Sequence, residues 1–246
     1  MDRLFERLHD MFNLDYLDLW PLYISLKVAV VATLFTFFIG LFAARKVVKM
    51  KRLSPVFDGI FTLPMVLPPT VVGFFLLLIF GKNSTIGSFL SRIDLSPVFT
   101  WYGAVIAASV VSFPLMYRTA RGAMEQMDQN LVYAARTLGI GETKIFWRII
   151  MPSCWPGIAS GTVLTFARAM GEFGATTMIA GNIPKQTQTL ALAVYSAMQG
   201  GNRQKVYYWV VTILLISFAA LFFMNHLTSP KRTQKRRERR ERRSRA

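Results

Sequence analysis

Cysteine is nearly absent from this 246-residue chain. Cys154 stands alone, so no disulfide can close within it and thiol redox chemistry has no second thiol. Histidine occurs only at His9 and His226, and acidic residues number 13 against 29 basic ones. With no cluster of His, Cys, Asp and Glu, neither a metal site nor a catalytic constellation is expected. The chain is therefore not read as an enzyme. Charge is scarce too, at 17% of residues, where a soluble domain carries about 25%. The N-terminal segment 1–20 has no apolar core and holds five acids (Asp2, Glu6, Asp10, Asp15, Asp18), which excludes a signal peptide and suggests an external amphipathic helix. The run Gly139–Lys144 lacks the GxxxxGK[ST] spacing of a phosphate loop and follows no strand, so ATP has no site here.

What the chain has instead is long apolar sequence, 53% of residues being hydrophobic. An uncharged run of about 20 residues crosses a hydrocarbon core of about 30 Å at about 1.5 Å per helical residue. The runs predict an all-α, polytopic transmembrane bundle of about five spans, within a membrane domain covering 21–227. The first lies near Pro21–Ala44, with Lys27 close enough to one end to reach water. The second, Val56–Gly81, is interrupted by Pro64, Pro68 and Pro69. The third runs from about Val98 to Tyr117, the fourth from near Pro152 to about Ile179, and the fifth from about Val206 to His226. The apolar part of segment 186–202, Leu190–Met198, is too short to cross and reads as an external or re-entrant helix.

Lys and Arg set the orientation. The loop after the first span holds Arg45, Lys46, Lys49, Lys51 and Arg52, and the segment after the third holds Arg118, Arg121, Arg136, Lys144 and Arg148. The tail, 228–246, adds ten more with two Glu, half of the net +16. These twenty face seven on the other side, so the richer side is the cytoplasm. The N-terminus is then outside and the C-terminus inside. A basic block beside a membrane end is solvated and attracts anionic lipid, so lipid contact is expected and nucleic acid is not.

The most informative stretch is the cytoplasmic loop of about 119–151. Asp128 is placed to cap a helix with Leu131, Ala134, Ala135 and Leu138 at helical spacing, and Gly139 to end it in a left-handed conformation. A second short helix fits Glu142–Ile150, with Ile145, Phe146, Ile149 and Ile150 on one face, and Pro152 is expected to stop or kink it. Ala134-Ala135, three residues, Gly139, nine residues, Ile149, one residue, Met151-Pro152 resembles the Glu-Ala-Ala loop of ABC-importer permeases, with Tyr133 in place of the Glu and Met151 in place of a Leu. In that family the loop docks into a groove of the cytoplasmic ATPase. The resemblance therefore implies a coupling surface of Ala134, Ala135, Gly139, Ile149 and Pro152; the bland alternative is an ordinary interfacial hairpin.

The resemblance extends over 21–227 and is closest to the molybdate permeases, with sulfate and tungstate permeases as relatives. It is carried by Leu63-Pro64-Met65-Val66-Leu67-Pro68-Pro69-Thr70-Val71-Val72-Gly73, by Ala135–Gly139, by Phe166–Ala175 and by Asn182-Ile183-Pro184 before Thr189-Leu190. It implies a homodimer with two ATPase subunits below and a substrate-binding protein outside, in a bacterial or archaeal cell membrane. ATP and Mg²⁺ would sit on the partner ATPase, with no cofactor on this chain. The cargo would be an oxyanion, molybdate first, moved by alternating access.

Two further sites are open to two readings each. Pro64, Pro68, Pro69, Thr70 and Gly73 either form a pore-lining bend near a gate or a kink that packs on a neighbour. Arg168 and Glu172, four apart on one helix face, are either a contact along the pathway or an ion pair that fixes packing. An ion-coupled secondary transporter would need more intramembrane ionisable residues and a pair of repeats, neither of which is found.

Overall fold

Apolar helices with small residues along one stripe bury that stripe and leave bulky residues to lipid. The first helix, α1 (Trp20–Val48), follows this rule. Ala29, Ala32, Thr36, Gly40, Ala43 and Ala44 are buried, while Leu34, Phe35, Phe38, Ile39 and Phe42 are more than half exposed. The hydroxyls on the buried stripe return to the helix's own carbonyls, Thr33 to Ala29 at 2.6 Å and Thr36 to Ala32 at 2.8 Å, so no polar group is stranded there. The computed structural model describes residues 18–50 and 52–228, with side chains throughout except at 221 and 223–228. The expected amphipathic N-terminal helix and basic tail lie outside these residues, apart from 18–20 and 228.

Beyond α1, the described elements are all helical. They are α2 (Ser54–Val66), α3 (Pro69–Phe80), α4 (Thr85–Arg92), α5 (Trp101–Glu125), α6 (Gln129–Thr137), α7 (Glu142–Met170), α8 (Gly174–Ala180), α9 (Leu190–Gln199) and α10 (Arg203–Thr228). Three are long and apolar enough to cross a membrane (α1, α5 and α7), or four if the bent pair α2–α3 is one span. The expectation of five is thus met only in part among the described residues. The short segment near Leu190 is a 10-residue apolar helix, as its length required.

Contacts fix the directions. Lys27 lies 3.7 Å above the Trp101 ring, and a β-carbon on Gly40 would meet Met116 Cβ at 3.2 Å and Tyr117 N at 3.3 Å, so α1 and α5 run parallel. A β-carbon on Gly157 would meet Ala123 Cβ at 2.7 Å, and Gly161 faces Thr119, so α7 runs against α5. Two apolar clusters stack along the bundle. Around the Trp20 and Trp101 end, Ile24, Val28, Val72, Ala104, Ala175, Ile179, Leu190 and Trp209 are packed together. Around the basic end, Leu41, Ala44, Met116, Tyr117, Phe146 and Ile158 form the other.

Three sequence-based boundaries are corrected. The third span does not end at Tyr117; α5 continues past Arg118 and Arg121 to Glu125, about two turns beyond Tyr117. Of the stop or kink expected at Pro152, the stop is not found. The turn from Phe146 to Ile150 is a π-helix, in which Met151 N–H bonds to Phe146 O, and the chain runs on unbroken to Met170. Pro152 has no N–H to give, and its ring would press on the carbonyl four residues back in an α-helical turn; the wider turn just before it absorbs the conflict. The fourth span does break, but later, at Gly171–Phe173 before α8.

Candidate functional site: a terminal hairpin and two paired helix breaks

The hairpin is built by capping. Asp128 Oδ1 accepts the Asn130 N–H at 3.0 Å, opening α6. At its other end Gly139 adopts φ +71°, and two backbone bonds close the turn, Gly139 N–H to Arg136 O at 2.9 Å and Ile140 N–H to Ala135 O at 3.1 Å. That pair of bonds is the Schellman arrangement, which needs a left-handed residue where Gly139 stands. Glu142, opening α7, accepts from Arg136 at 2.7 Å and from Lys49 at 3.1 Å, tying the hairpin to the end of α1. Arg45 caps the same corner, 4.1 Å over the Phe146 ring.

The helical spacing of α6 resolves into two faces. Val132 and Ala135 pack on Ile145 beneath the hairpin. Leu131, Ala134, Leu138 and Ile140 face outward, with Trp147 of α7 also exposed. Of the five residues the resemblance singled out, Ala134, Gly139 and Pro152 are exposed, Ile149 is half-buried and Ala135 is buried. The outward surface is mainly apolar, and the turn that carries it is closed by these backbone bonds and ion pairs.

The second arrangement joins the proline-rich segment to the Arg168 segment. Leu67 and Pro68 each precede a proline, and a residue in that position is pushed out of the helical region. Both are extended, with ψ of 143° and 135°, while Pro69 takes up the first turn of α3, where its missing N–H costs nothing. The axis turns by 108° there. Pro64, by contrast, lies inside α2.

The α7–α8 break sits against this bend. A β-carbon on Gly174 would approach Pro69 Cβ to 3.0 Å and Thr70 N to 3.1 Å; one on Gly73 would approach Ala175 Cα to 2.7 Å. Glycine is used at both places because backbone meets backbone. Glu172 anchors the break: Oε1 accepts the Ala175 N–H at 2.8 Å, and Oε2 accepts Arg168 Nη1 at 2.7 Å. Its side chain is 2% exposed and that of Arg168 is 34%. A carboxylate so deeply enclosed is tolerable only when charge-paired and hydrogen-bonded, and both conditions hold. One of the free N–H groups that open α8, that of Ala175, is thus served by a side chain of the chain itself.

One cluster escaped sequence reasoning. Asp58 on α2 takes an ion pair from Arg121 and a hydrogen bond from the Tyr117 hydroxyl, while Arg121 Nε also bonds Glu125 at 2.6 Å. The signal was present: Asp58 is a carboxylate two residues inside the apolar run that opens at Val56. Among the described residues no group of three or more His, Cys, Asp or Glu could hold a metal ion.

A bundle of spans carrying an apolar hairpin at its basic end, with two broken helices in contact inside it, matches one known family across most of its length. Residues 36–232 match the family described as binding-protein-dependent transport system inner membrane component. The chain belongs to that family. It is a multi-pass permease component of a transport system and not an enzyme. Related permeases include YvgM of Bacillus subtilis (strain 168), 45% identical over 209 residues, covering 83% of this chain and 91% of that one. The molybdenum transport system permease protein ModB of Escherichia coli (strain K12) is 42% identical over 202 residues, 80% of this chain and 88% of that one. The sulfate transport system permease protein CysT of the same strain is 30% identical over 207 residues, 84% and 75% of the two chains. In fold, the permease resembles a chain of the inward-facing MetNI methionine ABC transporter, with TM-score 0.65, 17% identity and 88% and 99% coverage. It also resembles a chain of a bacterial alginate ABC transporter solved with an alginate-bound periplasmic protein, with TM-score 0.69, 16% identity and 86% and 78% coverage.

Proposed function

We propose that this permease carries molybdate inward as one half of a homodimer, driven by two separate ATPase subunits and supplied by an external binding protein. The observation that carries the reading is the outward-facing apolar surface of the hairpin, Leu131, Ala134, Leu138 and Ile140, held on a Schellman turn and pinned by Glu142 to two basic residues. A rigid apolar knob at a basic membrane end suits docking on a cytoplasmic protein. Because α7 runs unbroken from Glu142 to the Arg168 break, a displacement of the knob is passed along one rod to the paired breaks. In this reading Ala134, Gly139, Ile149 and Pro152 lie on or beside the contact and Ala135 supports it from beneath. Pro64, Pro68, Pro69, Thr70 and Gly73 with the α8 segment form the hinge at the gate, and the Arg168–Glu172 pair holds that hinge.

The fifth span is α10, whose stretch from Val206 to Ala220 carries no charge. With α2–α3 taken as one broken span, the N-terminus is outside and the C-terminal tail in the cytoplasm, bringing Arg45, Lys49, Arg121 and Arg136 to the inner face as the positive-inside rule requires. Molybdate is favoured by the likeness to ModB, and the likeness to CysT keeps sulfate as the competing cargo.

The test is uptake into proteoliposomes that hold the permease with its ATPase. ATP-dependent accumulation of molybdate, stimulated by the binding protein and outcompeting sulfate, is the expected result. Uptake driven by a proton gradient with no ATPase present would sink the reading, and a preference for sulfate would change the cargo.

A further inference from the structure

Arg118 and Arg121 lie one turn apart on α5, yet their surroundings differ. Arg121 is neutralised by Asp58 and Glu125 and touches the Tyr117 hydroxyl. Arg118 is exposed and, among the described residues, has no carboxylate and no hydrogen-bond partner. It lines a groove of about 550 Å³ between α5 and α7, together with Thr119, Gln126, Ser153 and Ser160. Among the described residues no hydrogen bond occupies the Gln126 amide or the Ser153 and Ser160 hydroxyls either. Gly122 and Gly157, which have no side chains, also line it.

Depth makes this arrangement informative. Arg118 is 17 residues beyond Trp101, about 26 Å along the helix at about 1.5 Å per residue, near the inner boundary of a hydrocarbon layer about 30 Å thick. A cation at that depth faces water or an anion, because lipid tails offer it nothing. Here the cation is ringed by neutral hydrogen-bonding groups and by no acid, a setting that suits a divalent tetrahedral oxyanion and repels no part of it. The groove also opens beside the hairpin, since Met127 at its edge packs on the cluster of Val132, Ala135 and Ile145.

We infer that this groove is a weak oxyanion-binding station at the inner end of the transport path, with Arg118 as its cation and Ser153, Ser160 and Gln126 as neutral donors. The inference rests on the transport reading above and adds a residue-level site to it. A single arginine against a hydrated dianion holds it briefly and releases it, as an exit step requires.

The probe is radiolabelled molybdate, bound at equilibrium to the permease–ATPase complex in nanodiscs of phosphatidylcholine alone, without binding protein. Saturable binding is expected, weakened at least tenfold by Arg118→Gln and by Ser160→Leu, which fills the groove without touching a charge, and less by Arg118→Lys. Wild-type-like binding in both Arg118→Gln and Ser160→Leu overturns the proposal, and the second variant serves if the first does not fold. A parallel arm adds phosphatidylglycerol and counts retained lipids by native mass spectrometry. If molybdate does not bind in phosphatidylcholine and Arg118→Gln sheds a retained phosphatidylglycerol, the groove holds a lipid phosphate and the proposal is overturned. ATP-driven uptake by the same wild-type complex separates the two levels. Its absence alongside Arg118-dependent binding would remove the transport reading and leave the site standing.

Discussion

Gly73→Ala tests whether the two helix breaks are held in contact. The added β-carbon would lie 2.7 Å from Ala175 Cα, 2.8 Å from Met178 Cβ and 2.9 Å from the Ala175 carbonyl oxygen. Carbon atoms rest at about 3.5–4.0 Å, so α3 and α8 must part by roughly 1 Å, and two of the three obstacles are backbone that no rotamer change can move. Overpacking of this kind costs about 1–3 kcal/mol. At roughly 2–4 °C per kcal/mol for a chain of this size, the midpoint of thermal unfolding should fall by roughly 2–12 °C. The assay is thermal unfolding of the purified complex, with ATP-driven uptake measured on the same preparation. Gly59→Ala is the control, since a β-carbon there meets nothing within 4 Å and alanine favours a helix over glycine. Unchanged unfolding and uptake in Gly73→Ala, or equal losses in both variants, would refute the packing of α3 on α8.

Two other predictions concern the break and the hairpin. Arg168→Met and Glu172→Gln should each lower stability and uptake, and the double variant should lose less than the two losses added together, because removing one partner strands the other in a dry site; additive losses in a double-mutant cycle would reject the pair. Gly139→Val should release the ATPase on co-purification, since a β-branched residue at φ +71° is strained by about 1–2 kcal/mol, whereas Gly139→Asn should retain it. Loss in both variants would mean that the missing side chain, and not the turn, is what the partner reads.

Much of the architecture was legible because a bilayer imposes simple rules. Span length, the basic side and the capped hairpin follow from hydrophobic runs, charge placement and the Asp128 and Gly139 signals, all of them local. The Arg168–Glu172 pair was suggested by a spacing of four, although Glu172 lies in the break beyond the end of α7 and not on the same helix face. Beyond local spacing the reading weakened. Leu131 and Leu138 were grouped with Ala135, but the hairpin buries Val132 and Ala135 and leaves both leucines exposed. Period alone does not say which of two apolar stripes will find a partner. The π-turn ahead of Pro152 was also out of reach, because continuing or stopping at a proline depends on what the surrounding helices hold in place.

The sequence by itself determined that this chain is helical, apolar, multi-spanning and polarised in charge, and that it carries a capped two-helix hairpin. Those properties depend on composition and on residues within a turn or two of each other. Only the tertiary structure decided that Gly73 and Gly174 bring two broken helices face to face, and that Asp58 claims Arg121 while Arg118 is left to the groove. Each of these joins residues tens of positions apart or chooses between neighbouring cations, and that choice belongs to packing, which sequence spacing does not encode.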